Sequence, residues 1–107
     1  MDVPTFNRIQ RLAKVENEDV FTRLGKTMEE LGELAGAMLG VAQVQHTAYK
    51  GKTREDVVEE LADTLITSMS IAEKYAITRD ELIGMMNFKC NKWERLIEEQ
   101  SNGTGNC

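Results

Sequence analysis

A chain of 107 residues suits one small domain of about three or four helices and is too short to bury most of its apolar surface alone. A net charge of −5 argues against a general nucleic-acid binder, which is normally basic, and the two cysteines, Cys90 and Cys107, make no disulfide framework. With no secretory signal and no apolar run long enough to span a bilayer, the cytoplasm is the expected compartment, and neither nucleic acid nor membrane is an expected partner.

In chain order, Pro4 to about Val15 reads as a first helix. Asp2 stands near its start, Pro4 is tolerated in a first turn, and Phe6, Ile9 (or Gln10) and Ala13 recur at helical spacing. The acidic stretch from Glu16 to Asp19 reads as a turn. A second helix is expected from about Val20 to Gln45, with an apolar stripe of Leu24, Met28, Leu31, Ala35, Met38 and Ala42 widened by Leu34 and Val41. Gly32, Gly36 and Gly40 share one face of it. They either let another helix or a ligand approach or are simply tolerated, at about 1 kcal/mol each relative to alanine.

The stretch from His46 to Lys52 reads as a loop, marked by Lys50-Gly51-Lys52. Thr53 with Asp56 forms a capping-box-like start for a third helix, Arg54 to about Tyr75, whose stripe is Val58, Leu61, Ala62, Leu65, Met69 and Ala72. Thr64, Thr67, Ser68 and Ser70 make its second half rich in hydroxyls. After a joint at Ala76-Ile77, Thr78 with Glu81 opens a fourth helix to about Gln100. Residues 101–107 are polar and read as a disordered tail after a single domain over 1–100. No stretch reads as a strand.

Chemistry concentrates in two acidic stretches, Glu29-Glu30-Leu31-Gly32-Glu33 and Glu60-Leu61-Ala62-Asp63. Residues i and i+3 of a helix share a face, so Glu30 with Glu33 and Glu60 with Asp63 are two carboxylate pairs. Like charges about 5 Å apart repel by roughly 3 kcal/mol at an effective dielectric near 20. Val57, Leu61 and Ile66 border the second pair, which sets it at the edge of an apolar stripe. Such an arrangement makes sense if a divalent cation bridges the pairs, and oxygen ligands favour Mg²⁺, Mn²⁺ or Ca²⁺ over zinc. The bland alternative is two ordinary charged helix faces. Glu29 and Glu59 point about 100° away around their helices.

E-E-x-x-E in one helix and E-x-x-D in the next resembles the signature of the MazG-like all-α nucleoside triphosphate pyrophosphatases. Here the segments read KTMEELGEL and EELAD, and the likeness extends from Lys26 to Arg95. It implies an all-α, four-helix MazG-like bundle assembled as a dimer or tetramer, with sites that include residues of a neighbouring subunit. It further implies Mg²⁺ (or Mn²⁺) held by Glu30, Glu33, Glu60 and Asp63. A water oriented by Glu30 or Glu33 would attack the α-phosphorus of an NTP or dNTP, giving the monophosphate and pyrophosphate and cleansing the nucleotide pool. Glu29 matches the first glutamate of the motif. Lys26, one turn before Glu30, matches a lysine of the family pattern. Asn87, Lys89, Lys92 and Arg95 resemble its basic last helix and would contact the phosphates; the alternative is that these cations balance Glu94, Glu98 and Glu99.

Other readings compete. A non-catalytic helical dimerisation module would leave the acids as surface charge. Phosphoribosyl-ATP pyrophosphatase and the dimeric dUTPases share the fold, but no histidine follows the E-x-x-D segment as the former would have it. His46 is the only histidine, which argues against a di-iron carboxylate bundle and a His-dependent zinc hydrolase. Trp93 and Phe88 suit a core or a subunit interface better than base stacking, and Cys90 reads as a small buried or half-buried side chain.

Overall fold

The computed structural model describes residues 1–42 and 51–105, and among these every regular element is an α-helix. Helix α1 spans Val3–Glu16, α2 Val20–Val41, α3 Arg54–Lys74 and α4 Arg79–Gly105. No helix of the described residues is long and apolar enough to cross a membrane.

Side-chain caps fix the starts. The Asp2 carboxylate accepts from Thr5 N–H at 2.9 Å at the head of α1, with Pro4 in the first turn. Asp19 does the same for Thr22 at the head of α2, again at 2.9 Å, and its other oxygen accepts from the Thr22 hydroxyl. At α3 the Asp56 carboxylate accepts from Thr53 N–H at 2.7 Å. At α4 the expected box is complete: Glu81 N–H donates to the Thr78 hydroxyl at 3.1 Å, and Thr78 N–H donates to Glu81 at 3.3 Å. Each bond satisfies an amide that the helix itself leaves orphaned.

The ends depart from expectation at two places. Helix α2 stops at Val41, with Ala42 as its C-cap, short of the expected Gln45. Gln45 and the loop from His46 to Lys50 lie outside the described residues. Helix α4 continues past Gln100 to Gly105, so residues 101–105 of the expected tail are helical.

The chain divides into two compact units, Met1–Ala76 and Ile77–Cys107. In the first, α2 and α3 pack side by side most extensively and α1 lies against α3. The α2–α3 pair is antiparallel: Arg23 of α2 donates to the carbonyl of Ser70 and to Glu73, while Glu30, further along α2, meets Glu60 and Asp63, earlier in α3. Phe6, Ile9 and Ala13 form the buried face of α1, as the spacing predicts, and Gln10 donates to the Met69 carbonyl at 2.8 Å.

The face that α2 turns inward is not the expected one. Arg23, Gly36, Ala37 and Gly40 are buried, with Thr27, Glu30 and Leu34 half-buried. Leu24, Met28, Leu31 and Met38 remain exposed, Met28 to 64%. On α3, Val58, Leu61, Ala62 and Leu65 are likewise exposed, while Ala72 is buried and Met69 half-buried. The physical reason is the acids. A seam that contains Glu30, Glu60 and Asp63 must be lined by small and polar side chains, so the long aliphatic ones turn outward. An added Cβ at Gly32 would meet nothing within 4 Å, so that glycine makes no close approach, whereas Gly36 and Gly40 sit in the buried face.

The second unit consists of the joint at Ile77 and α4. Leu82 and Ile83 are half-buried, and Met85, Met86, Phe88, Trp93, Leu96 and Ile97 are exposed along the helix.

Candidate metal centre and adjoining cleft

The i, i+3 spacing puts each carboxylate pair on one helix face, and the antiparallel register of α2 and α3 sets the pairs against each other. One oxygen from each of Glu30, Glu60 and Asp63 lies within 4.8 Å of the other two. All three side chains are half-buried, and the Oε2 atoms of Glu30 and Glu60 are buried with no hydrogen-bond partner. Nearby hydroxyls do not serve them: Thr64 donates to the Glu60 carbonyl at 2.8 Å and Thr67 to the Asp63 carbonyl at 3.0 Å, both back onto the helix. Glu33 is exposed at the edge of the group, near enough that it raises both Glu30 and Glu60.

This crowding changes the acids. Burial, then hydrogen bonding toward Glu33 and the charges of Glu33, Asp63 and Glu30, raises the Glu60 carboxyl to about 7. Glu30 is raised by burial first and then by the charges of Glu33 and Asp63. A buried acceptor with no donor is costly, and adjacent carboxylates disfavour each other's ionised form; a bound cation would offset both. The donor set is oxygen only. Two oxygens on opposite sides of an ion at about 2.1 Å for Mg²⁺, or about 2.4 Å for Ca²⁺, stand about 4.2–4.8 Å apart. The cluster is thus a group of oxygen ligands that could hold a hard divalent cation.

Beside it, α1, α2 and α3 enclose a cleft of about 490 Å³. Ile9, Leu12, Ala13 and Ile66 supply its apolar wall, with Arg8 and Lys26 among its polar residues. Arg23, only 3% exposed, also lines it and ties the three helices together: its guanidinium donates to the carbonyls of Ala13 and Ser70 and pairs with Glu73 at 2.9 Å.

The other expected site residues fall as follows. Lys26 lines the cleft, where its ammonium pairs with Glu18 at 2.7 Å, a contact that holds the proton more firmly than usual. Asn87, Lys89, Lys92 and Arg95 are all exposed along α4 in the second unit, as are Phe88 and Trp93. Cys90 is exposed rather than buried or half-buried, because the positions around it on α4 are themselves exposed. Glu29 and Glu59 are exposed, as their rotation about the helix predicts. His46 lies outside the described residues.

Arg8, Glu18 and Arg23 escaped the sequence reading. Arg23 sits directly before the apolar stripe of α2, and nothing local distinguishes a buried arginine there from a solvated one. Arg8 and Glu18 gain significance only from tertiary placement. Comparison of the chain with protein-family models, with curated proteins and with solved structures gives no match.

Proposed function

We propose that this chain is a Mg²⁺-dependent nucleoside triphosphate pyrophosphohydrolase of the MazG-like kind, working as a homo-oligomer on NTPs or dNTPs. The observation that carries the reading is the set of half-buried carboxylates of Glu30, Glu60 and Asp63, two of them with an oxygen left unpartnered. The motif resemblance of KTMEELGEL and EELAD adds the reaction class and the choice of the α-phosphorus.

Glu30, Glu60 and Asp63, with Glu33 at the rim, would hold the cation, which supplies charge neutralisation and Lewis acidity toward phosphate oxygens when bound. The protein's own part is positional. Glu33 or Glu30 would orient a water and accept its proton as the oxygen–phosphorus bond forms. The bond between the α-phosphorus and the bridging oxygen breaks, and pyrophosphate leaves with that oxygen. Lys26 can exchange Glu18 for a phosphate oxygen at the cleft end. The basic ridge of α4, Lys89, Lys92 and Arg95 with Asn87, is assigned to the outer phosphates on resemblance.

The exposed apolar stripes of α2 and α3 also suit a second reading, a helical interaction module without catalysis. The test is a panel of ribo- and deoxynucleoside triphosphates with Mg²⁺ or Mn²⁺ and detection of released pyrophosphate. Glu33→Gln and Asp63→Asn should each abolish release while far-ultraviolet circular dichroism stays unchanged. Pyrophosphate release that both variants leave intact would remove the metal-site reading. No stabilisation of the native chain by Mg²⁺ or Mn²⁺ would favour the module.

A further inference from the structure

We infer that the cleft between α1 and the α2–α3 pair receives the nucleoside part of the substrate, so that α1, which bears none of the acidic motif, selects the base. The inference rests on the metal-dependent reading above and deepens it.

Three observations converge on the cleft. Its size, about 490 Å³, lies within the range of roughly 300–1,000 Å³ for small-molecule sites. Its lining is mixed: Ile9, Leu12 and Ala13 of α1 and Ile66 of α3 are apolar, Lys26 and Thr67 belong to the same lining, and Glu16 and Glu18 also border it, with Glu18 neutralised by its pair with Lys26. Lys26 and Thr67 mark the end next to the carboxylates. Lys26 precedes Glu30 by four residues, about 6 Å along the axis, and Thr67 follows Asp63 by the same distance, with its hydroxyl bonded to the Asp63 carbonyl at 3.0 Å.

A ligand that fills this space therefore needs an apolar, flat portion for the wall and an anionic chain that passes Lys26 to reach the acids. A nucleoside triphosphate has that layout. Inorganic tripolyphosphate has only the second half of it. Leu12 and Ile66 are 52% and 48% exposed, so in the free chain each leaves apolar surface that a base can cover. Arg8 lies at the same cleft and adds positive charge on the α1 side.

The experiment compares calorimetric binding of nucleoside triphosphates and of inorganic tripolyphosphate, with Ca²⁺ replacing Mg²⁺ to suppress turnover. The native chain should bind its best nucleotide at least about tenfold more tightly than tripolyphosphate, the difference expected when apolar surface of a base is covered. Ile66→Trp, which fills the cleft, and Leu12→Glu, which charges its wall from a half-exposed position, should each bring the nucleotide to within about twofold of tripolyphosphate. Tripolyphosphate binding itself should stay as in the native chain. Leu12→Glu keeps the test decisive if the tryptophan disturbs helical content by circular dichroism. A nucleotide advantage that survives in the folded variants overturns the cleft assignment and leaves the metal-site reading standing. Absence of tripolyphosphate and nucleotide binding by the native chain overturns both.

Discussion

A carboxyl group raised by burial and by its neighbours binds its proton more tightly in the folded chain than in the unfolded one, and this ties Glu60 to stability. Its ordinary value is 4.5 and its value in the cluster is about 7. Between those values the unfolded chain has released the proton and the folded chain has kept it. Stability without metal is therefore highest below 4.5 and falls as the pH rises through about 7. Glu30 is raised too and adds in the same sense. Asp19 and Asp56 are lowered from 3.8 by hydrogen bonds from Thr22 and Thr53, so their contributions are lost only in more acidic solution and do not blur the window. The expected result is a melting temperature that drops from about pH 5 to pH 8 in a chelating buffer, a slope that Glu60→Gln largely removes and saturating Mg²⁺ reverses. A flat profile in the native protein would mean that the acids are not crowded as described.

At the scale of elements, Arg23 and Ala76 are positions where one side chain or one dihedral angle bears on how a helix is held or ends. Arg23 spans α1, α2 and α3 through the carbonyls of Ala13 and Ser70 and through Glu73. Arg23→Met keeps the aliphatic stem but strands Glu73 and both carbonyls, and should cost about 3 kcal/mol in chemical denaturation, the range for breaking a buried pair. Arg23→Lys should recover only part of that, because an ammonium lacks the planar fork. Ala76, just beyond α3, has a φ of 53°. An alanine there costs about 1–2 kcal/mol of backbone strain, and Ala76→Gly should recover about 0.5–1 kcal/mol after glycine's greater chain entropy is counted. A variant no more stable than the native chain would show that Ala76 is unstrained. The helix starts at Asp2, at Thr53 with Asp56 and at Thr78 with Glu81 were legible in the sequence through local chemistry alone, whereas Asp19 reads there only as part of an acidic turn and proves to be the cap of α2. The carboxylate pairs were legible for the same reason, as i, i+3 spacing is a property of one helix. Their opposition across α2 and α3, expected from a bridging cation and from the resemblance, does not follow from either helix alone, because it depends on the register that Arg23 helps to set. The inward face of α2 was not legible either. A stripe such as Leu24, Met28, Leu31 and Met38 records that some surface is apolar without recording what covers it.

That stripe carries the argument to the whole molecule. The outward residues of α2 lie about 90–100° around the helix from Arg23, Thr27 and Glu30, and Val58, Leu61 and Leu65 of α3 are turned away from Glu60 and Thr67 in the same rotational sense. In an antiparallel pair, turning both helices in the same sense brings their outward stripes to the same flank. The result is one apolar face made from two helices. Leu24, Met28, Leu31, Met38, Val58, Leu61 and Leu65 on it are each between 46% and 64% exposed. A specific interface buries roughly 800 Å² per partner, and seven large apolar side chains left about half uncovered would suit the core of one. A second copy related by a two-fold axis would place the same stripes opposite themselves, closing a four-helix core with the carboxylate seams to either side. The native chain should therefore run as a dimer or larger in light scattering at micromolar concentration. Leu31→Glu combined with Leu61→Glu should shift it to a monomer, because a buried like-charge pair faces itself across the axis. The carboxylates lie in the α2–α3 seam and not on this flank, so the monomeric variant should still be stabilised by Mg²⁺. A native chain that is monomeric at that concentration, and fully active in releasing pyrophosphate, would rule out the shared bundle and show that the exposed stripes serve some other contact.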